Sequence, residues 1–530
     1  MPPNGALINS TSNIAGSSSK SVILTNHPKV IVTMSPKSSS PNLTYRTVIY
    51  LTAWGLDLVY DLLKSNRRTY CLLHLQLLQS FLLKAGKIRA QRVQLKAIHD
   101  CPAYADFYAN NGAIPTTKEN YVKRYSIESR CYGGQIPVGS IVDESSGSSG
   151  IPSNWVRSHG ERADLKRSIQ LAYQLTHHDR YPKEQTILLN CFALGSWATG
   201  MNVSTALADV GILKSIGCDR QKLENTIQQF GPNYRYLIFG YPPFIKSFID
   251  LSQLDLSQYR LNLIIGGEPV SESLRSYLLE YFETVISSYG ASDLEINLGR
   301  ETDLTIALRR LCQLDPTLSQ RLFNRSIPPS IFQYNPIEHC VEISPHGELI
   351  YTVTRSNGAA PKVRYNLLDV GGTISYRQLA QQLKLAGVEI NQLTKIHSHL
   401  PILFTCGRSD LTVSFYGANI YPAEISEIIQ RQPELKQQIH SFQLSCTETD
   451  RVDARLKITL ELLPDLTPNQ LSVESLRDFF WLALAQSNQD FREVTKMFDR
   501  QSIEIEIQPY GMGVFSQRNS QTKHQYVAGR

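Results

Sequence analysis

Four short apolar runs constrain this chain more than anything else in it. They are Thr186-Ile-Leu-Leu-Asn-Cys-Phe-Ala-Leu, Tyr236-Leu-Ile-Phe-Gly-Tyr-Pro-Pro, Leu261-Asn-Leu-Ile-Ile-Gly-Gly-Glu-Pro and Thr284-Val-Ile-Ser-Ser-Tyr-Gly. Short apolar runs of this kind, most of them closed by glycine or proline turns, read as strands buried on both faces. Stretches with helical spacing lie between them, such as Ser271-Glu-Ser-Leu-Arg-Ser-Tyr-Leu-Leu-Glu. Strands alternating with helices predict an α/β architecture with substantially parallel sheets. Ligands in such folds sit beyond the C-terminal ends of the strands. Residues 195–200, Gly266-Gly267 and Tyr289-Gly290 all fall there.

The flanking regions read differently. A chain of 530 residues is too long for one core, so a large domain and a smaller one are expected. Residues 1–45, rich in Ser, Asn and Pro, read as a disordered tail. A helical block follows over 46–112. Within it, 47–63 is apolar but carries Asp57 and Asp61, which points to an amphipathic helix on the body, not a membrane span. Pro102 breaks the block, and Pro115-Thr-Thr reads as a turn whose threonine caps a short helix. Around Gly347, short alternating runs predict a β-hairpin, and Val363-Arg-Tyr-Asn-Leu-Leu-Asp-Val-Gly-Gly predicts a strand and turn. From Gly407 on, strands near 411–415, 439–445 and 455–462 and a helix from Pro422 make a smaller α+β unit. The expected division is therefore a tail (1–45), a large domain (46–406) and a smaller C-terminal unit (407–530).

Charge and cysteines narrow the class. A net charge of +6 over this length does not argue for nucleic acid. The nine cysteines are scattered, with no CxxC pair and no Cys/His cluster, so free thiols are expected rather than zinc or disulfides. No basic stretch followed by an apolar core opens the chain, so a cytoplasmic location is expected.

One loop stands out chemically. Glu144-Ser-Ser-Gly-Ser-Ser-Gly-Ile-Pro-Ser-Asn follows a predicted strand built from Ile136-Pro-Val and Ile141-Val142, and a helix over 160–175 is expected just beyond it. Gly147 and Gly150 permit backbone angles closed to other residues, and Ser145, Ser146, Ser148 and Ser149 supply hydroxyls. Such a turn can aim several N–H groups at phosphate oxygens. It is neither a Walker A loop nor a dinucleotide fingerprint. Taken alone it competes with a flexible Ser/Gly linker.

Five segments in one order, from 144 to 425, resemble the motifs of the adenylate-forming (AMP-binding) superfamily, with the phenylacetate–CoA ligase and CapK-like branch the nearest. Glu144 to Pro152 resembles its phosphate loop, Gly266-Gly267-Glu268-Pro269 its adenine-side loop, and Tyr289-Gly290-Ala291-Ser292-Asp293 the next nucleotide loop. Arg364-Tyr-Asn-Leu-Leu-Asp369 resembles the segment ending in a ribose-binding aspartate. Gly407-Arg408-Ser409-Asp410 and the following Tyr416-Gly417-Ala-Asn-Ile-Tyr-Pro-Ala-Glu-Ile resemble the hinge and the loop after it. Two departures stand out. Asp293 is shorter than the family's usual glutamate, and the C-terminal Gly-Lys is replaced by Gln521-Thr-Lys-His-Gln-Tyr526.

The resemblance implies ATP-dependent activation of a small carboxylic acid as an acyl-adenylate, followed by transfer to a thiol such as coenzyme A. On that reading Tyr289 packs on the purine, Asp369 and Arg408 hold the ribose or phosphate, and Asp293 meets magnesium (Mg2+). Asp410 is the pivot of the lid, Gly417 lines the thiol's path, and Lys523 is the catalytic cation beside the α-phosphate. Trp197, Phe239 and Tyr241 are candidates to line the acid pocket. Plainer readings stand beside these: a core aromatic for Tyr289, a helix cap for Asp293, a turn residue for Asp369 and a solvated lysine for Lys523. Transfer to an amine, hydroxyl or carrier protein, and a nucleotide-binding protein without catalysis, remain open. The substrate and the oligomeric state are not readable from the residues.

Overall fold

The strands of a computed structural model carry most of the architecture. It describes residues 43–145, 153–178, 180–182, 184–394, 398–409, 412–449 and 453–516. In chain order the strands are β1 (Ile141–Ser145), β2 (Ser153–Arg157), β3 (Thr186–Asn190), β4 (Ile212–Ser215), β5 (Arg235–Gly240) and β6 (Arg260–Gly266). Next come β7 (Thr284–Tyr289), β8 (Gly299–Arg300), β9 (Ser330–Gln333), β10 (His339–Ile343), β11 (Glu348–Val353) and β12 (Tyr365–Ile374). The last are β13 (Ile402–Arg408), β14 (Val413–Phe415), β15 (Ala418–Ile420), β16 (Ile439–Glu448), β17 (Ala454–Leu462) and β18 (Ile503–Gln508).

An eleven-stranded sheet runs in the order β10-β11-β12-β13-β9-β8-β7-β6-β5-β3-β4. The four predicted apolar runs are β3, β5, β6 and β7, and they pair in parallel. From β8 onward the pairing turns antiparallel, so the sheet is half parallel and half antiparallel. β3 and β5 are buried at every position, which explains why they read as continuous apolar runs. One face of the parallel half packs on the helices Arg220–Phe230, Pro242–Leu251 and Glu272–Leu278. Its other face packs on His159–Tyr173 and Ala198–Leu207.

The N-terminal helices fit their expected roles. Leu43–Lys64 turns Ile49, Ala53 and Tyr60 inward, and Asp57 accepts from Arg89 (2.8 Å) and Arg92 on the helix Gln79–Asp100. No described helix is long and apolar enough to cross a membrane. Pro102 opens a new helix, Pro102–Asn111, where its missing N–H costs nothing. Thr117 caps Lys118–Val122 with a reciprocal bond to Asn120. All nine cysteines are free thiols.

Three expectations change. Ile136-Pro-Val is not a strand; pairing starts at Ile141. The Ser/Gly segment does not lead straight into a helix, because β2 stands between them and pairs antiparallel with β1, Ser145 opposite Ser153. Trp155 and Val156 are buried, which holds the second strand, and the helix waits for the Ser158 cap. The segment is therefore the connection of a hairpin. Finally, Tyr365–Ile374 is one ten-residue strand with a bulge between Asp369 and Gly371, not a strand and turn.

The C-terminal part has its own core, built from buried residues between Val413 and Ile505. The expected boundary at 406/407 falls inside β13, so the separately cored part begins past the end of that strand. β14 and β15 join through a two-residue turn in which Tyr416 (φ 51°) and Gly417 (φ 85°) are both left-handed. That is the turn whose twist matches a tight hairpin. The Tyr416 ring lies flat on Phe498 at 3.8 Å between centroids.

A buried charge cluster locks the hairpin to the sheet. Arg157, at the end of β2, donates to Asp143 on β1 (3.1 Å), to Glu161 (3.1 Å) and to the carbonyls of Ser292 and Leu294. Glu161 also accepts from Lys362 at 3.0 Å. Burial alone would raise the Glu161 carboxyl, but Lys362 and Arg157 together hold it below its ordinary range. Arg157→Met leaves Asp143 and Glu161 short of a cation in a dry site, and is expected to destabilise the chain by about 3–5 kcal/mol. Thermal and urea unfolding measure this, with Arg157→Lys expected between the parent and the methionine variant. A midpoint equal to the parent's for Arg157→Met would contradict this account.

Candidate functional site

The expected site segments meet at one cavity of about 1430 Å³. It lies at the C-terminal ends of β6 and β7 and at the neighbouring parts of β12 and β13. Its wall includes Ser145, Gly266, Gly267, Glu268, Pro269, Tyr289, Gly290, Ser292, Asp293, Asp369, Arg408 and Gly417. Trp197, Phe239 and Tyr241 line it too. Ser146, Gly147, Ser148, Ser149 and Gly150, together with Asp410 and Lys523, lie outside the described residues. Ser145 is buried, and its hydroxyl oxygen accepts from the Trp155 indole at 2.9 Å.

Two glycines shape the floor by close approach. A Cβ on Gly267 (φ 86°) would stand 2.7 Å from the Tyr241 ring, and one on Gly290 would meet the Ile296 backbone at 2.5 Å. Neither position has room for a side chain.

Asp369 is placed by strain and held by two partners. Leu368 takes φ 68°, unusual for a non-glycine residue, just before the bulge in β12. Its N–H donates to the Asn366 side chain at 2.7 Å, and its carbonyl accepts from Ser409 N–H at 2.7 Å. The Asp369 carboxylate accepts from the Tyr289 hydroxyl and faces Arg408 at 3.7 Å. The sequence pointed to all three residues separately, and the fold brings them together. Tyr289 is less free than expected: one ring face stacks on Phe332 (5.4 Å), and its hydroxyl also accepts from Tyr351 at 3.3 Å. Burial, with the Asp369 charge beside it, pushes the Tyr289 phenol well up.

Asp293 sits behind this trio. It accepts from the Tyr365 hydroxyl at 2.7 Å and faces the Lys118 ammonium at 3.4 Å. Among the described residues there is no cluster of three or more metal-ligating side chains. Asp293 thus offers a single hard oxygen donor, which suits a cation whose other ligands are phosphates and water.

Glu268 is a strongly perturbed acid on the wall. Its Oε1 is buried without a hydrogen-bond partner. Burial pushes its carboxyl up to about 8, against a smaller opposing effect from a Ser414 hydrogen bond. A Cβ on Gly417 would lie 3.9 Å from Glu268 Oε1, so the β14–β15 turn closes over this carboxyl.

Sequence reading missed Arg157, Glu161, Tyr351, Phe332 and Arg300. No pattern in the residues marked them, because Ser153-Asn-Trp-Val-Arg157 carries only two apolar side chains and an arginine gives no sign of its own burial.

Neither a protein-family profile nor a curated protein sequence matches the chain. Among solved structures, amide bond synthetase McbA from Marinactinospora thermotolerans is 13% identical, over 79% of each chain, with a TM-score of 0.43. A double mutant of o-succinylbenzoate CoA synthetase (MenE) from Bacillus subtilis is 14% identical, over 65% of this chain and 63% of its own length, at 0.40. An acyl-CoA synthetase (AMP-forming)/AMP-acid ligase II-like protein from Dyadobacter fermentans is 12% identical, over 72% and 88%, at 0.31. At identities and TM-scores this low, the likeness assigns neither a family nor an activity.

The perturbed acid gives a pH test. Glu268 binds its proton more tightly in the folded chain (about 8) than at its ordinary value of 4.5. The folded state therefore keeps a proton that the unfolded state has released. Stability is unaffected below 4.5, falls as pH rises through that interval, and stays lower above about 8. Glu268→Gln removes the penalty, so its thermal midpoint should gain on the parent's as pH rises through the window. A constant difference between the two across that window would show that Glu268 is not held neutral.

Proposed function

We propose that this chain is an ATP-dependent ligase of the adenylate-forming kind, joining a carboxylic acid to AMP and passing the acyl group to a thiol such as coenzyme A. The observation that carries the reading is convergence. Five segments far apart in sequence line one cavity through Ser145, Pro269, Asp293, Asp369 and Arg408, together with Gly417. Each segment matches in order a motif whose chemistry serves a nucleotide.

A carboxylate resists attack by a thiol because its charge and resonance make it a poor electrophile. One carboxylate oxygen attacks the α-phosphorus of ATP, pyrophosphate leaves, and the acyl group is then a mixed anhydride with AMP as its leaving group. Two anions must be brought together for this, so the work is positioning and charge neutralisation. In this reading the Asp369 carboxylate accepts from the ribose hydroxyls, with its orientation set by Tyr289 and Arg408. Gly267 and Gly290 let the base approach the backbone. Ser145 and the Ser146–Gly150 residues after it take the β- and γ-phosphates. Asp293 faces magnesium carried in on the nucleotide, and Lys523 neutralises the α-phosphate.

The C-terminal unit is the lid in this reading. Adenylation needs a cation at the α-phosphate, whereas thiol transfer needs an open path, and one lid surface cannot present both. Rotation about Asp410, bringing Gly417 to the thiol's path, separates the two steps.

Pyrophosphate exchange into ATP, run across a library of carboxylic acids, tests the reading. Acid-dependent exchange is expected for at least one class, and none across a broad library would leave a nucleotide-binding protein without this chemistry. Asp369→Ala is expected to raise the ATP concentration needed by about tenfold or more, since a hydrogen bond to a charged group is worth about 1.5–3 kcal/mol. A nucleotide affinity equal to the parent's would make Asp369 a structural partner of Tyr289 alone.

A further inference from the structure

One arm of the cavity runs between the sheet and the helices His159–Tyr173 and Ala198–Leu207. Ile169, Tyr173, Val203, Leu207, Phe239 and Ile264 line it. Arg300 lines the same cavity. Its place follows from register: Arg300 on β8 pairs with Ser288 on β7, and Ser288 with Gly266 on β6. Paired residues share a face, as do residues two apart on one strand. Arg300 therefore stands on the same face as Ile286 and Ile264, which the two helices cover.

The Arg300 guanidinium has no counter-ion there. Its Nη1 is buried without a hydrogen-bond partner, and no described carboxylate forms an ion pair with it. The acids on the cavity wall nearest the nucleotide segments are engaged elsewhere: Asp293 with Lys118 and Tyr365, Asp369 with Arg408 and Tyr289. Two titratable groups sit close to Arg300 from the N-terminal region, the Tyr70 phenol and the His74 ring. Neither supplies negative charge at neutral pH. Burial raises the Tyr70 phenol well above its ordinary value. Burial first, and then Arg300 itself, push the His74 ring down to about 3. A cation with a buried N–H that has no partner is costly to hold. An arriving anion recovers that cost.

We propose that Arg300 is an anion-binding residue of the acid pocket, and that the acid this chain takes is bifunctional, with an apolar middle and a second anionic group at its far end. The inference rests on the carboxylic-acid reading above. The second anion is a carboxylate or an equivalent such as a sulfonate. The apolar lining holds the middle, while Arg300 selects against acids that end in a neutral group.

The test is calorimetric binding to the full chain without nucleotide. The probes are the dicarboxylates from adipate to sebacate, their ω-amides, and monocarboxylates of the same lengths. The parent is expected to bind its best dicarboxylate roughly tenfold to a hundredfold more tightly than the matching amide. Arg300→Met should collapse that ratio toward one, and Arg300→Lys should keep part of it. Equal binding of dicarboxylates and amides by the parent, or a preference that survives in Arg300→Met, overturns the proposal. A loss of ATP affinity in Arg300→Met as large as the loss of dicarboxylate affinity also overturns it, because Arg300 is then a phosphate contact. Pyrophosphate exchange with the same acids keeps the two readings apart. An Arg300-dependent preference in binding with no exchange sinks adenylation and leaves the anion site. Exchange with monocarboxylates and no preference does the reverse.

Discussion

The position of the cavity-lining loops depends on one buried guanidinium. Arg157 reaches across from β2 to Asp143 and Glu161 and to the carbonyls of Ser292 and Leu294, so a single side chain ties the β1–β2 hairpin to the loop that carries Asp293. Lys362 closes the cluster from the strand side through Glu161. Removing these charges from water costs several kcal/mol per ion, and the mutual attraction offsets that only when the geometry is met in full. The hairpin therefore has one register that satisfies every partner. A one-residue slip would leave a buried charge unpaired. The same economy recurs further along the sheet, where Glu295 holds His339 (2.8 Å) and Arg355, and Arg355 reaches Glu338 (3.3 Å). Arg355 and His339 keep the Glu295 carboxyl well below its ordinary range although burial opposes them.

Strain does at β12 what charge does at the hairpin. Leu368 in a left-handed conformation and the bulge after it re-aim the strand, so that Asp369 faces the cavity beside Tyr289 and Arg408. Strain of this kind costs of order 1–3 kcal/mol and persists where surrounding bonds fix it. Here Asn366 and Ser409 supply those bonds on either side. Tyr289 is fixed in turn by its stack on Phe332 and its bond from Tyr351. The trio is preorganised before any ligand arrives, which lowers the ordering cost of binding one.

These features explain what was legible in the residues. β3 and β5 are buried at every position and β6 at most of them, while β7 buries alternate residues, and their apolar runs announced all four. The glycines at 267 and 290 were visible as turn residues, and their tight surroundings explain why glycine stands there. β2 was not legible, because Ser153-Asn-Trp-Val-Arg has too few apolar residues to mark a strand and follows a segment rich in Ser and Gly. β8 and β9 escaped for a related reason: they have two and four residues, too short for periodicity to register. Arg157 and Arg300 looked like ordinary surface charges, since burial is a property of the fold and not of the residue type. The left-handed Leu368 has no sequence signal, because leucine takes that conformation only when its neighbours impose it.

The C-terminal part is cored apart from the sheet and brings the β14–β15 turn to the cavity wall. Its core is built from its own residues, so it does not need the large domain to bury Phe415, Phe480 or Phe491. Contacts across to the rest of the chain include Lys246 with Asp453 (2.7 Å) and Ser271 with Glu448 (2.9 Å), polar pairs whose outer partners are solvent-exposed. Pairs of that type are worth about a kcal/mol or less, so exchanging them for others costs little. The tight Tyr416–Gly417 turn is different, because it closes over Glu268, a carboxyl that burial keeps largely protonated. Swinging the turn away would let water reach that carboxyl and ionise it. Displacing the turn would therefore be linked to proton release at Glu268: rising pH would favour it, and whatever fills the cavity under the turn would oppose it.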